Sequence, residues 1–337
     1  MKKYFALVLL SLFFQRLLLF SQPSFPGEGT EISPYQLWSK EHLTELCDSI
    51  NNIGPPYYMS WTTDKYFRLM QDMDNVYQSI GWYAFSGYLR GNGKTINMAM
   101  PDSLMLSSIK HCYVPGLISL DNGSLLDSLT VTGYITYART IFGVEVSSIL
   151  DNCITNVDIV CYPCEYIISN IIYYWAVAGI AATNRGTISH CINNGNVTGV
   201  DFVAGIAAES FQGKIFNCIN TGKITATGTE IKEWYDYTGV AGITIEAPKT
   251  DFSNCINLGD IEGHYYVGGI ASKSFSALFS SWTIVKNCIN AGNIKGKKYV
   301  GGIIGIDFDL QPADIYNCIN TGIIEGEEDA GGIVGKE

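Results

Sequence analysis

Positive charge is scarce in this chain. Of 337 residues only 21 are Lys or Arg, against 32 Asp or Glu, so the formal net charge is −11. That balance argues against a nucleic-acid partner, whose phosphates require basic patches. Histidine is scarcer still. His42, His111, His190 and His264 form no motif, and the H-E-x-x-H signature of a zinc peptidase is absent. Cys161-Tyr162-Pro163-Cys164 is a lone C-x-x-C. A zinc site would need a second pair of ligands at suitable spacing, and a redox motif would need a thioredoxin-like context; the sequence offers neither. A local Cys161–Cys164 disulfide is the better reading, and neither metal nor cofactor is expected.

Long apolar runs are also missing, except at the start. Lys2 and Lys3 precede an apolar run from Tyr4 to Phe14 and a second from Leu17 to Phe20, and Ser21 is a small residue before Gln22. This reads as a signal peptide over residues 1–21. Gln15 and Arg16 break the stretch, leaving too short a run for a comfortable span. No cysteine ends the run, so no lipoprotein anchor is expected, and no later segment spans a membrane. The expected location is secreted or cell-surface.

What the chain has in abundance is one phrase: a Cys-Ile-Asn core, a Gly-centred turn, a short β-branched segment, then Gly-Gly-Ile or a close variant. It occurs at Cys191-Ile192-Asn193-Asn194-Gly195, Cys218-Ile219-Asn220-Thr221-Gly222, Cys255-Ile256-Asn257-Leu258-Gly259, Cys288-Ile289-Asn290-Ala291-Gly292 and Cys318-Ile319-Asn320-Thr321-Gly322, with a degenerate copy from Cys153. In four copies the second small residue of the Gly-Gly phrase lies 14 positions after the Cys, as from Cys191 to Gly205. The copy from Cys218 to Gly242 has 24, so it carries a ten-residue insertion over about Thr227 to Asp236. A fixed core register with length variation pushed into loops is solenoid behaviour.

The runs are β-branched, and Asn-Gly, Thr-Gly and Gly-Asp break them too often for helix. Three short strands per coil are expected, stacked in parallel about 4.8 Å apart. The expected fold is all-β: a parallel β-helix, right-handed by the rules of strand twist and crossover.

The phrases Asn317-Cys318-Ile319-Asn320-Thr321-Gly322 and Ala330-Gly331-Gly332-Ile333-Val334-Gly335 resemble the GLUG repeat of bacterial secreted and surface proteins, which also accompanies immunoglobulin A protease-like proteins. Glu31 to Leu37 and Glu41 to Leu46 resemble the strand and amphipathic helix that cap the first coil of that class. Tyr66 to Asp74 and Ser86 to Ile96 resemble its first-coil phrases. The resemblance covers about residues 30 to 337. It implies an N-terminal strand-plus-helix cap with the first coils over 22–100 and GLUG-type coils over 101–337. The final copy ends at Gly335-Lys336-Glu337 without a capping element, so a piece of a longer array is expected. Charged gatekeeping, or end-to-end association with another chain, is the alternative.

Cys153, Cys191, Cys218, Cys255, Cys288 and Cys318 hold one position per coil. They are expected as a reduced ladder in the core, behaving as small hydrophobes. Asn193, Asn220, Asn257, Asn290 and Asn320 are expected to satisfy backbone groups and one another. His190 stands where other copies have Asn and reads as a substituted ladder position.

A carbohydrate-active β-helix enzyme would carry several carboxylates with Arg or Lys on one strand face across neighbouring coils. Asp251 and Asp314 both lie four residues before a repeat Cys, but Ile284 holds that place in the coil between. No catalytic residues are assigned and no enzyme is expected. Specific binding is expected on loop insertions, with Trp234, Tyr235 and Tyr237 in one and Trp282 in another as candidate contacts for a glycan or extracellular protein. The leading function is a binding or structural module of adhesin type. The alternatives are a polysaccharide lyase or hydrolase, and a scaffold piece of a larger protease-like surface protein.

Overall fold

The structure, a computed structural model, describes residues 24–51, 61–77, 80–99, 117–120, 123–136, 140–144, 147–161, 165–168, 171–174, 176–229, 238–246, 250–274, 283–307 and 313–336. It is a parallel β-helix. The signal-peptide reading of residues 1–21 lies outside the described residues.

Among the described residues the one helix is α1 (Lys40–Asn51), which closes the N-terminal end. Ser39 starts it, its Oγ accepting from the His42 backbone N–H at 3.4 Å. Leu43, Leu46, Cys47 and Ile50 recur at helical spacing and are all buried. Beside this face stand the interlocked rings of Phe25, Tyr35, Trp61, Phe67 and Phe85, with neighbouring centroids 5.3–5.8 Å apart along the path from Phe25 through Tyr35 and Phe67 to Trp61 or Phe85. The strand Tyr35–Leu37 pairs in parallel with Tyr66–Leu69, so the cap is in register with the coils it covers.

Each full coil contains five short strands, not three. In one coil these are Lys214–Phe216, Ile219–Asn220, Ile224–Ala226, Gly239–Ala241 and Thr244–Glu246. Sharp bends split the runs that the sequence suggests are continuous. In every full coil the first three strands join a 22-stranded sheet, the fourth a six-stranded sheet and the fifth a nine-stranded sheet, while the early coils add longer, unsplit strands such as Leu125–Thr136 to the first of these. The ten-residue insertion falls between the third and fourth strands, so Ile219 still pairs with Ile192 on one side and Ile256 on the other. Among the described residues the antiparallel exception is the hairpin Glu165–Ile168 with Ile171–Tyr174.

The Cys-Ile-Asn phrase alternates in, out, in. Cys153, Cys191, Cys218, Cys255 and Cys288 are fully buried, Cys318 is half-buried, and all six thiols are free. Burial pushes the Cys153 and Cys218 thiols up, which keeps them protonated and inert. Full burial closes the other five thiols to reagent, so native-state alkylation should label half-buried Cys318 before them, as peptide mass spectrometry can read. Equal labelling of Cys218 or Cys255 would contradict this packing. Of the C-x-x-C pair, Cys161 is buried and Cys164 lies outside the described residues.

The inward asparagines form a buried amide ladder. Asn193 Nδ2 donates to Asn220 Oδ1 at 2.8 Å, and the Asn220–Asn257, Asn257–Asn290 and Asn290–Asn320 steps are each 2.7 Å. Each amide also donates to the Gly carbonyl of its own turn, as Asn257 does to Gly259 at 2.8 Å. Opposite stands the second small residue of the Gly-Gly phrase. A Cβ at Gly269 would collide with the Gly302 carbonyl oxygen and the Asn290 side chain. The narrow cross-section thus explains why Asn and Gly recur together.

The residue before each Cys turns the bend between the first and second strands. Asn152, His190, Asn217, Asn254, Asn287 and Asn317 all adopt left-handed backbone, φ 50–55°. Asparagine tolerates that region better than most residues, which accounts for its recurrence there.

Candidate functional site

Early in the helix the first-strand face of the long sheet carries a charged row that the repeat phrase does not explain. Phe67, Leu89, Leu126 and Leu150 point inward and are buried, so the residues on either side of them point out. Register then aligns Tyr66 with Tyr88, Leu125 and Ile149, and aligns Arg68 with Arg90, Asp127, Asp151 and Ser189. The Tyr66 and Tyr88 rings stack with centroids 4.4 Å apart and planes 17° from parallel. Two guanidinium groups and then two carboxylates therefore follow one another on coils about 4.8 Å apart. Only the Arg90–Asp127 step joins opposite charges. Like charges on directly paired strands destabilise a sheet, so packing alone does not favour this order.

The two carboxylates sit in unlike surroundings. Asp151 Oδ1 accepts from Ser189 Oγ at 2.6 Å and from His190 Nδ1 at 2.8 Å. Partial burial works against its charge, but these hydrogen bonds outweigh burial and hold the Asp151 carboxyl below the usual range. Asp127 goes the other way. Burial pushes it up and the Asp151 charge adds to this, against the opposing pull of Arg90 and a hydrogen bond with Ser128.

The signs of the pH effects follow. Asp151, depressed in the fold, contributes stability above its unfolded pKa that is lost as pH falls through its folded value. Asp127, raised in the fold, costs stability at neutral pH, and the cost disappears on acidification. Asp151→Asn should lower the urea midpoint at neutral pH and less so in acid. Asp127→Asn should raise it slightly at neutral pH. Asp151 is 37% exposed, so solvent screening keeps its effect below about 1 kcal/mol. Urea melts at two pH values check both signs.

Trp234, Tyr235, Tyr237 and Trp282, the loop contacts expected from the sequence, lie outside the described residues. The structure does place Lys214, Asp251, Ile284 and Asp314 in one register, so Asp251 and Asp314 are two coils apart. A second aromatic pair stands at the far corner. Tyr266 and Tyr299 stack at 5.0 Å in left-handed backbone, φ 52° and 59°. Lys273 Nζ lies 4.4 Å from the Tyr266 ring centroid, and Lys298 and Lys336 lie 5.1 and 5.2 Å from that of Tyr299. The chain's own cations already cover these rings, which leaves the Arg68–Asp151 row as the better candidate. That row escaped sequence reasoning because its first coils lack the Cys. Asp151 was within reach, two residues before Cys153 as Ser189 is before Cys191.

Among the described residues no group of three or more His, Cys, Asp or Glu is arranged to hold a metal ion. No described helix is long and apolar enough to cross a membrane. No family model matches the chain. No curated protein matches it either. A solved structure from Bacteroides ovatus, described as a "putative immunoglobulin A1 protease", is similar over 91% of this chain and 84% of that chain, at 16% identity and a TM-score of 0.47.

Proposed function

We infer that this chain is a secreted or surface-displayed binding module that holds a glycan against the outward face around Arg68, Arg90, Asp127 and Asp151. The observation that supports this reading is the row itself: charges of both signs, fixed in register on a rigid scaffold beside the Tyr66–Tyr88 stack. Carboxylates accept hydrogen bonds from sugar hydroxyls, guanidinium groups donate to ring and hydroxyl oxygens, and aromatic surface suits the apolar faces of sugar rings. A β-helix brings these groups together without loop ordering, so little entropy is lost on binding.

The opposed Asp127 and Asp151 environments favour a second reading, in which one carboxyl donates a proton and the other accepts one at a glycosidic bond. One experiment separates the two. The purified chain is probed on a glycan array, and any ligand found is incubated with it and assayed for new reducing ends. Retention without cleavage fits the binding module. Cleavage lost in both Asp127→Asn and Asp151→Asn would replace it with the hydrolase. No retained glycan of any class would overturn both.

A further inference from the structure

A single chain of side-chain hydrogen bonds runs along the outer bend of the helix. Asn317 Nδ2 donates to Asn287 Oδ1 at 3.3 Å, Asn287 to Asn254 at 3.1 Å and Asn254 to Asn217 at 2.9 Å. Asn217 Nδ2 then meets His190 Nε2 at 2.9 Å, and His190 Nδ1 meets Asp151 Oδ1 at 2.8 Å. The direction is fixed at both ends of the imidazole. Asn217 Oδ1 is engaged by Asn254, so its amino group faces His190, and an amino group only donates. Nε2 is therefore the bare nitrogen, and Nδ1 carries the proton to a carboxylate that only accepts. Every amide in this outer chain points its nitrogen towards His190. The buried ladder runs the opposite way, starting from Thr155 Oγ1 on Asn193 Oδ1 at 3.0 Å.

His190 and Asp151 are the titratable members of the outer chain. The charged groups in line with the imidazole are Asp151, which it touches, then Asp127 and Arg90 further along the row. Its other neighbours, the Phe216 ring at 5.7 Å and Asn217, are uncharged.

We propose that proton uptake by His190 reverses the whole outer amide chain from Asn217 to Asn317. With a proton on both ring nitrogens, Nε2–H needs an acceptor, and Asn217 supplies one by turning its carboxamide over. Its amino group then faces that of Asn254, which must turn in the same way, and so must Asn287 and Asn317. Asn317 is exposed, so the reversal ends in water without orphaning a buried group. The proton comes from solvent, and no covalent bond changes except the new N–H. The buried ladder cannot follow, because each of its amides is also tied to a Gly carbonyl at 2.8–3.1 Å and its first donor is a hydroxyl. A proton arriving beside the charged row is thereby read out four coils away, about 19 Å along the helix. The device stands whether or not the row binds a glycan.

Solution NMR of the full chain tests this. Side-chain amide resonances of Asn217, Asn254, Asn287 and Asn317 are followed from about pH 8 to about pH 5, the range in which histidine switches, together with the His190 ring signals. All four should move with the midpoint seen at His190, while those of Asn193, Asn220, Asn257 and Asn290 stay still. His190→Asn, which restores the residue of the other coils, should abolish the movement and keep the circular dichroism spectrum. Movement confined to Asn217, unequal midpoints, or a transition that survives in H190N would overturn the proposal.

Discussion

Asn257→Leu should destabilise the chain by roughly 3–9 kcal/mol. Leucine nearly matches asparagine in size, so the loss is one of hydrogen bonds and not of volume. Asn257 is fully buried and makes three of them: it donates to Gly259 O and to Asn290 Oδ1, and it accepts from Asn220 Nδ2. Removing it orphans two acceptors and one donor at about 1–3 kcal/mol each. Asn254, three residues earlier and on the outer bend, is the control. Asn254→Gly keeps the left-handed bend and breaks only exposed side-chain bonds, so it should cost less than about 1 kcal/mol. Urea midpoints of the two variants give the comparison. Equal losses would mean that the buried ladder has no special weight.

Gly269→Val should be at least as damaging, about 3 kcal/mol or more. Its Cβ would meet backbone oxygen of the next coil and the Asn290 side chain, neither of which can move without breaking the ladder. Because coils communicate through nearest-neighbour contacts, the strain spreads to both neighbours. The same repeat position in the last described coil is Gly332, where an added Cβ meets nothing within 4 Å. Gly332→Val should therefore change the midpoint by less than about 1 kcal/mol. A chain that tolerates Gly269→Val as well as Gly332→Val would refute the narrow cross-section.

How much of this was legible in the residues depends on where the repeat is strong. Cys-Ile-Asn and Gly-Gly-Ile made the β-helix readable, since a period fixes register before any strand is located. The same period placed Asp251, Ile284 and Asp314 in one row. It did not show that each coil has five strands, because the left-handed bend at Asn217 or Asn254 looks in sequence like any other polar residue. The charged row was hidden for a related reason. Leu129 stands in register with Cys153, and Val131 with Thr155, one coil before the ladder begins, so nothing in the phrase announces that Asp127 lies beside Asp151. His190 read correctly as a ladder member, but its bond to Asp151 required the coil before it.

Residues that build the helix are distinct from residues that use it, and affinity measured beside stability tells the two apart. A glycan captured by the purified chain is titrated against Arg90→Ala, Asp151→Ala and a Trp234→Ala/Tyr235→Ala double variant, with a urea melt of each. Loss of affinity by tenfold or more in the first two, with the loop variant unaffected and unfolding midpoints within about 1 kcal/mol of one another, is the predicted result. Affinity that survives in Arg90→Ala and Asp151→Ala but disappears in the loop variant would contradict it and move the site to the insertion.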